Sequence, residues 1–484
     1  MRVAHCAWAT AIACGLLTGA AGVEAATPLV DAAREGNRAS VRALLQQKAD
    51  VNAAEADGTT ALHWAVRADD LETVRLLLRA GASARTANRY GVTPLQVAAV
   101  NGSVATARAL LDAGADPNAM LPEGETVLMT AARTGQPELL RMLLEHGADI
   151  NARERWYGET ALIWATAENH AEAIRVLLDR GADVNQRSTT LTYERRRNGQ
   201  SLMPLGHWTP LMYAARENAF DAGRALVTAH ADLNATDPDG ATALVIAIIN
   251  ANYDFAAFLI EAGADPNVVD KDAGMGPLYA AVDMHRLAIG HGRPNPRPSG
   301  TLDSVEVVRR LIAHKVDPNA ALKAPILQRQ HTGGDGTLGK GATPLLRASK
   351  SGDVEVMKLL LAAGADPEAT LAGTTTLMYA AGFGWRDGSP AAPSFDQGTP
   401  QEAIAAIEML MELGLDLNAA NGNGDTALHV AVTGRGSPEI VHYLIDHGAN
   451  LEAKNKRGQT PLAAAMASRK DLTPLIGILR AGAH

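Results

Sequence analysis

The chain is poor in cysteine, poor in aromatic side chains and has no excess of positive charge. Its two cysteines, Cys6 and Cys14, both lie in the first 25 residues. If that segment is removed, disulfides, thiolate nucleophiles and cysteine metal sites go with it. Aromatics make up 4 % of 484 residues, and Ala, Leu and Val dominate the apolar content. That composition suits thin helical layers better than one large core. The formal net charge is −9, so the basic stripe that a nucleic-acid partner requires is missing. No apolar run beyond residue 25 reaches the roughly 20 residues needed to span a bilayer. HExxH, GxSxG, P-loop and CxxCH patterns are also absent. No catalytic residue, cofactor or metal is therefore predicted.

Residues 1–25 differ from the rest. Arg2 gives a positive start, Ala7 to Ala20 is mainly apolar, and Val23-Glu24-Ala25 places small residues before a cleavage point. This pattern predicts a secretory signal peptide, with 26–484 as the mature chain. A membrane anchor needs a longer apolar run, and Cys14 lacks the small-residue context of a lipoprotein signal. The Ala-rich signal points to a bacterium, with the periplasm as destination and the extracellular space as the alternative. After cleavage no stable membrane insertion is expected, nor any separate domain ahead of Thr27.

What the chain does have is repetition. Asp57 to Arg89 reads as a turn at Asp57-Gly58, a short helix opened by Thr60, a second helix over Leu71 to Leu78, and an exit at Gly81. The threonine hydroxyl can accept a bond from an early free N–H, and glycine readily takes the left-handed conformation that ends a helix. Neither helix is long enough to be stable alone, so the unit needs neighbours. Tyr90 and Glu123 begin further copies at a spacing of 33 residues.

Twelve helix openings follow the same plan: Thr27, Thr60, Thr93, Thr126, Thr160, Thr209, Thr242, Gly276, Thr343, Thr375, Thr426 and Thr460. Twelve exits match them; nine carry Gly, and Lys48, His230 and Lys315 fill the others. The pattern resembles the ankyrin repeat, whose T-P-L-H-x-A signature has this period, over nearly everything from Thr27 to His484. The resemblance implies an all-α ankyrin-repeat solenoid of about twelve helix-turn-helix repeats with short β-hairpin fingers. It also implies protein binding without catalysis.

Four insertions break the period. Those at 187–206 and 322–340 follow a second helix, where such repeats project a finger; those at 285–301 and 382–400 separate first helix from second, on the opposite edge. Inserted loops often map to a binding face, although surface loops are also tolerated at little entropic cost. Within the first, Tyr193, Arg195, Arg196 and Arg197 combine an aromatic with three guanidinium groups that can pair with carboxylates or phosphates. His291 to Pro298 is stiff and proline-rich.

The x residue of the signature, which the resemblance places on the concave side, reads Asp31, Trp64, Gln96, Thr130, Trp164, Tyr213, Ile246, Ala280, Arg347, Tyr379, Val430 and Ala464. Trp64, Trp164, Tyr213 and Tyr379, with Arg347, are candidate partner-binding residues, since Trp, Tyr and Arg are enriched at interface hot spots. Packing against the next repeat is the competing explanation. His63 and His429 stand at the signature histidine, where a structural tie is expected. Asp237 to Gly240 and Asp270 to Asp272 look faintly like calcium loops but lack the distal glutamate, and recurrent Gly-Ala-Asp reads as a turn device.

The expected function is a monomeric, non-catalytic scaffold that binds another protein through concave face and fingers. A periplasmic glycan or cell-wall binder, an enzyme built from the insertions and an exported effector are the alternatives.

Overall fold

The computed structural model describes residues 27–191, 206–286, 297–324, 337–384, 398–468 and 470–482. Among them lie twelve pairs of helices, beginning with Pro28–Arg34 and Arg38–Gln46 and ending with Pro461–Met466 and Thr473–Ala481. The first helix of a pair runs six to nine residues and the second nine to thirteen. The expected all-α repeat architecture is the observed one. The fingers are minimal: two-residue strands Thr370–Leu371 and Thr374–Thr375 pair antiparallel, and other fingers close with single bridges such as Met120 to Thr126.

The openings form as the sequence suggests. Thr93 Oγ1 accepts from Gln96 N at 3.2 Å, and Thr343 Oγ1 from Leu346 N at 3.3 Å. Proline follows at the first helical position, where its missing N–H has no partner to lose. The two signature histidines tie a copy to its neighbour. His63 Nδ1 accepts from Thr60 N at 3.2 Å while Nε2 meets the Val92 carbonyl at 3.1 Å. His429 repeats this with Thr426 N at 3.2 Å and Gln459 O at 3.0 Å.

At the exits, Gly81 and Gly263 take φ of +93° and +96°. Lys48, His230 and Lys315 adopt the same left-handed conformation, each at φ +61°. A Cβ at Gly81 or Gly263 would meet nothing within 4 Å, so these exits constrain the backbone and leave space for a side chain. Gly482 departs from the pattern: it is right-handed at φ −71°.

The Gly-Ala-Asp segments are confirmed as turn devices. Asp116 Oδ1 accepts from Asn118 N at 2.9 Å. Asn118 then reaches the next copy, accepting from Asp149 N at 2.7 Å and donating to Gly147 O at 2.9 Å. Asn319 and Asn418 make the same pair of bonds one step further along, to Asp366 and Gly364 and to Asn450 and Gly448. Backbone amides thus occupy the carboxylates.

Two compact units divide the chain. The first holds the residues up to Trp156 with Thr160–Ala165 and Arg175–Ala182; the second holds Tyr157–Glu159, Thr166–Ile174 and the residues from Asp183 onward. In the first, helix pairs bury Ala, Leu and Val, as Leu62, Ala65, Val66, Val74 and Leu77 do in the second copy. Copies six to twelve pack in the same manner in the second. The insertion at 187–206 is closed at its base: Ser188 N donates to Trp208 O at 2.9 Å and His207 N to Thr189 O at 3.1 Å.

Candidate functional site

In the first unit the x residues make a graded series. Gln96 and Thr130 are buried and join through Gln96 Nε2 to Thr130 Oγ1 at 2.6 Å, whose hydroxyl donates to Glu125 at 2.7 Å. Trp64 is half-buried between the guanidinium groups of Arg34 and Arg67, 5.1 and 5.4 Å from its ring, and donates to Glu55 at 3.3 Å. Trp164 is half-buried with Arg133 5.5 Å from its ring. Its indole N–H is buried and meets no acceptor among the described residues. A stacking platform for a sugar needs an open ring face. Both rings already face arginine.

In the second unit the candidates are interior. Tyr213 is 6 % exposed, Arg347 2 % and Tyr379 1 %, so these three are corrected from partner contacts to packing. Tyr213 lies edge-on to Trp208 at 5.5 Å, beneath Arg216 at 5.1 Å. Burial, and then the Glu159 charge, raise its phenol above the ordinary tyrosine value. Arg347 Nε donates to Asp283 Oδ1 at 2.6 Å, bonds Ser351 Oγ and reaches the Arg286 carbonyl at 3.0 Å. Tyr379 packs with Leu322, Leu338, Leu346 and Tyr279 and donates to Thr337 O at 3.1 Å.

Those contacts also revise the picture of insertions on opposite edges. Thr337, near the end of 322–340, bonds Lys350 Nζ and lies against Gly384, at the start of 382–400. The described ends of these two insertions therefore meet, and Leu322 and Leu338 of the first pack over Tyr379. Beside them His285 Nδ1 bonds Asp353 Oδ2 at 2.5 Å, and Arg286 donates to Glu402 at 2.6 Å. Asp353 caps Val354–Ala362 and Glu402 sits in the first turn of Pro400–Glu412. Successive residues of one copy thus hold the second-helix starts of the next two.

The exposed aromatics lie elsewhere. On the fingers of the first unit, Tyr90 is 44 %, Met120 52 % and Trp156 69 % exposed. The finger tips touch: Arg155 N donates to Glu123 O at 2.9 Å, and Arg89 N to Asp57 O at 2.8 Å. A Cβ on Gly91 would lie 2.9 Å from Pro122. Trp156 stands out because its finger is one residue longer. Six positions separate Asn118 from Gly124, and seven separate Asn151 from Gly158. Glu154 folds inward to accept from Trp156 N at 2.6 Å, turning the extra residue out. That length difference was the signal in the sequence for a residue the x series missed.

Tyr193, Arg195, Arg196 and Arg197 fall outside the described residues. Asp270 accepts from Ala273, Gly274 and Met275 N at 2.6, 3.1 and 2.8 Å, so its oxygens hold a finger turn. Among the described residues no group of acids and histidines is placed to hold a metal, and no helix is long and apolar enough to cross a membrane.

Comparison with known proteins agrees with this geometry. Ankyrin repeats, as sets of three copies, match residues 29–121, 113–188, 194–270 and 401–477, and a single ankyrin repeat matches 340–370. No curated protein matches the chain.

Proposed function

This chain belongs to the ankyrin-repeat family, and we propose that it is a non-catalytic scaffold docking another protein on the finger rim of its first unit. Ankyrin repeats are generally protein–protein interaction scaffolds and typically non-catalytic. The observation that carries the reading is Trp156, 69 % exposed on a finger one residue longer than the finger before it. Exposed aromatics beside arginine are the composition of binding hot spots. Trp64 and Trp164 border the same unit and contribute their outer edges. Tyr193 and Arg195 to Arg197 are further partner contacts in this proposal, and the leader-like residues 1–25 support export, with the periplasm as destination. The scaffold acts as a monomer and carries no cofactor.

The test is an affinity capture from an extract of the source organism. Wild-type chain is compared with Tyr90→Ala/Trp156→Ala and with a variant carrying Ala at Tyr193 and Arg195 to Arg197. One protein retained by wild type and lost by either variant supports the reading. Retention by both variants moves the site off the rim. Sedimentation of wild type with cell-wall material and no captured protein overturns it in favour of glycan binding.

A further inference from the structure

Four consecutive finger tips of the first unit alternate in charge, carrying Asp57, Arg89, Glu123 and Arg155 in turn. The tips form one continuous row. Arg89 N donates to Asp57 O at 2.8 Å, a Cβ on Gly91 would lie 2.9 Å from Pro122, and Arg155 N donates to Glu123 O at 2.9 Å. Arg89 and Arg155 are exposed, and Asp57 and Glu123 are half-buried. The joins are backbone bonds, and Glu123 and Arg155 make no ion pair among the described residues. Apolar groups interleave with the charges: Tyr90, Met120 and Trp156 are exposed on the second, third and fourth fingers, and Ala54 and Ala56 on the first.

We infer that this row pairs with the same row of a second copy of the chain in antiparallel register, covering the rim until the partner protein releases a monomer. The inference rests on the scaffold reading, since the row is the rim on which docking is proposed. An order of minus, plus, minus, plus is its own complement when reversed. A two-fold axis between the second and third tips sets Asp57 against Arg155 of the second copy, and Arg89 against its Glu123. All four contacts then join opposite charges, in an interface made of one patch used twice. A parallel pairing sets like against like at every tip, and so does an antiparallel one displaced by one finger. The matched register also brings Tyr90 to the finger of Met120, and Trp156 to Ala54 and Ala56. Exposed ion pairs add little affinity each, so the charges select the register while apolar contact holds the pair. The pairing is therefore weak enough for a partner to displace one copy. A ligand of a single sign is the less suitable occupant, because two of the four tips repel it.

The test is sedimentation velocity of the full chain over a range of concentrations at low and raised salt. Wild type is expected to pass from monomer to dimer with a Kd of about 10–100 µM, as for a small transient interface. The dimer should weaken severalfold when salt is raised, since exposed charges are screened. Glu123→Arg and Arg89→Glu each set like charges together at two contacts, and each should weaken pairing about tenfold or more. An equimolar mixture of these two variants restores opposite charges at every tip and should pair as wild type does. The double variant Arg89→Glu/Glu123→Arg should do so alone. A chain monomeric at every concentration, a dimer indifferent to salt, or single variants that pair like wild type and gain nothing on mixing each overturn the inference. Adding the captured protein should convert the dimer into a one-to-one complex, and a complex that keeps the dimer overturns the covering role. If the chain stays monomeric while capture succeeds, the pairing falls and the scaffold stands. If the chain pairs while Tyr90→Ala/Trp156→Ala still retains the captured protein, the proposed docking site falls and the pairing stands.

Discussion

Arg347 Nε donates to Asp283 Oδ1 at 2.6 Å across 64 residues of sequence, and both side chains lie in the interior of the second unit. Removing one member of such a pair leaves a charge in a low-dielectric site, whereas replacing both with apolar groups removes the desolvation cost as well. Asp283→Ala or Arg347→Ala should destabilise the surrounding copies by about 3–5 kcal/mol, and Asp283→Leu/Arg347→Met by much less. Amide hydrogen exchange over Pro277–His285 and Pro344–Lys350 reads the loss locally, which matters where long repeat arrays need not unfold in one step. Unchanged exchange in Arg347→Ala, with loss of partner capture, would return Arg347 to the binding surface.

That residue also marks where the sequence stopped being legible. Helix openings, exits and turn aspartates could be read because each rests on bonds within a few residues, as from Thr93 to Gln96 N. The surroundings of an x position depend on what crosses it. Gln96 and Thr130 bond each other across neighbouring copies, Tyr379 is packed by Leu322 and Leu338, which arrive from an insertion, and Arg347 is held by Asp283 and the Arg286 carbonyl. Periodicity places a side chain on a helix face without saying what lies over that face. Trp156 was legible through finger length alone, because it lies in a turn and outside the first-helix series.

Two histidines should give opposite pH signatures. Burial lowers the pKa of His63, whose Nδ1 must be unprotonated to accept from Thr60 N. Its contribution is present above the unfolded value of about 6.5 and is lost as pH falls through the depressed folded value. The hydrogen bond with Asp353 raises the pKa of His285, against a lowering from burial and from Arg286 and a further raising from Asp303. Its contribution is fully present below about 6.5 and is lost as pH rises through the raised folded value. The penalty of His63→Asn should therefore grow from pH 5 to 8, and that of His285→Gln should shrink from pH 6 to 9. Urea midpoints at each pH check both, and parallel trends would refute the assignment.

The three non-glycine exits are open to improvement. His230 holds φ +61°, a conformation that costs an ordinary residue roughly 1–2 kcal/mol. Glycine removes that strain and gives back part of it through the greater freedom of the unfolded chain. His230→Gly should stabilise by about 0.5–1 kcal/mol, and Gly263→His, at an exit with room for a side chain, should destabilise by a similar amount. Thermal scans of the two reciprocal variants decide it: the prediction fails if His230→Gly melts at or below wild type.

The asparagine ladder predicts a local effect of known sign. Asn118 bonds both the Asp149 amide and the Gly147 carbonyl of the next copy. The ladder is exposed, so Asn118→Ala should cost about 1 kcal/mol, the net worth of ordinary hydrogen bonds with water available to replace them. Exchange of the Asp149 amide should accelerate, while that of Leu62 and Ala65 in the second copy should not. Acceleration throughout the first unit would mean that Asn118 supports the whole stack and not one step of it.

Trp156 should separate binding from stability. Its side chain is exposed, and the bond that shapes its finger runs from its backbone N–H to Glu154. Trp156→Ala leaves that bond in place and should change stability by no more than about 0.5 kcal/mol, as for surface substitutions away from special features. Glu154→Ala takes the carboxylate from beneath the finger and should release the loop, lowering partner affinity while the indole is still present. If both variants lose capture and Trp156→Ala melts as wild type does, the finger acts by presenting its indole in a fixed position. A Trp156→Ala chain that melts several degrees lower would instead make the residue part of the packing. The rim would then have to bind through its arginines alone.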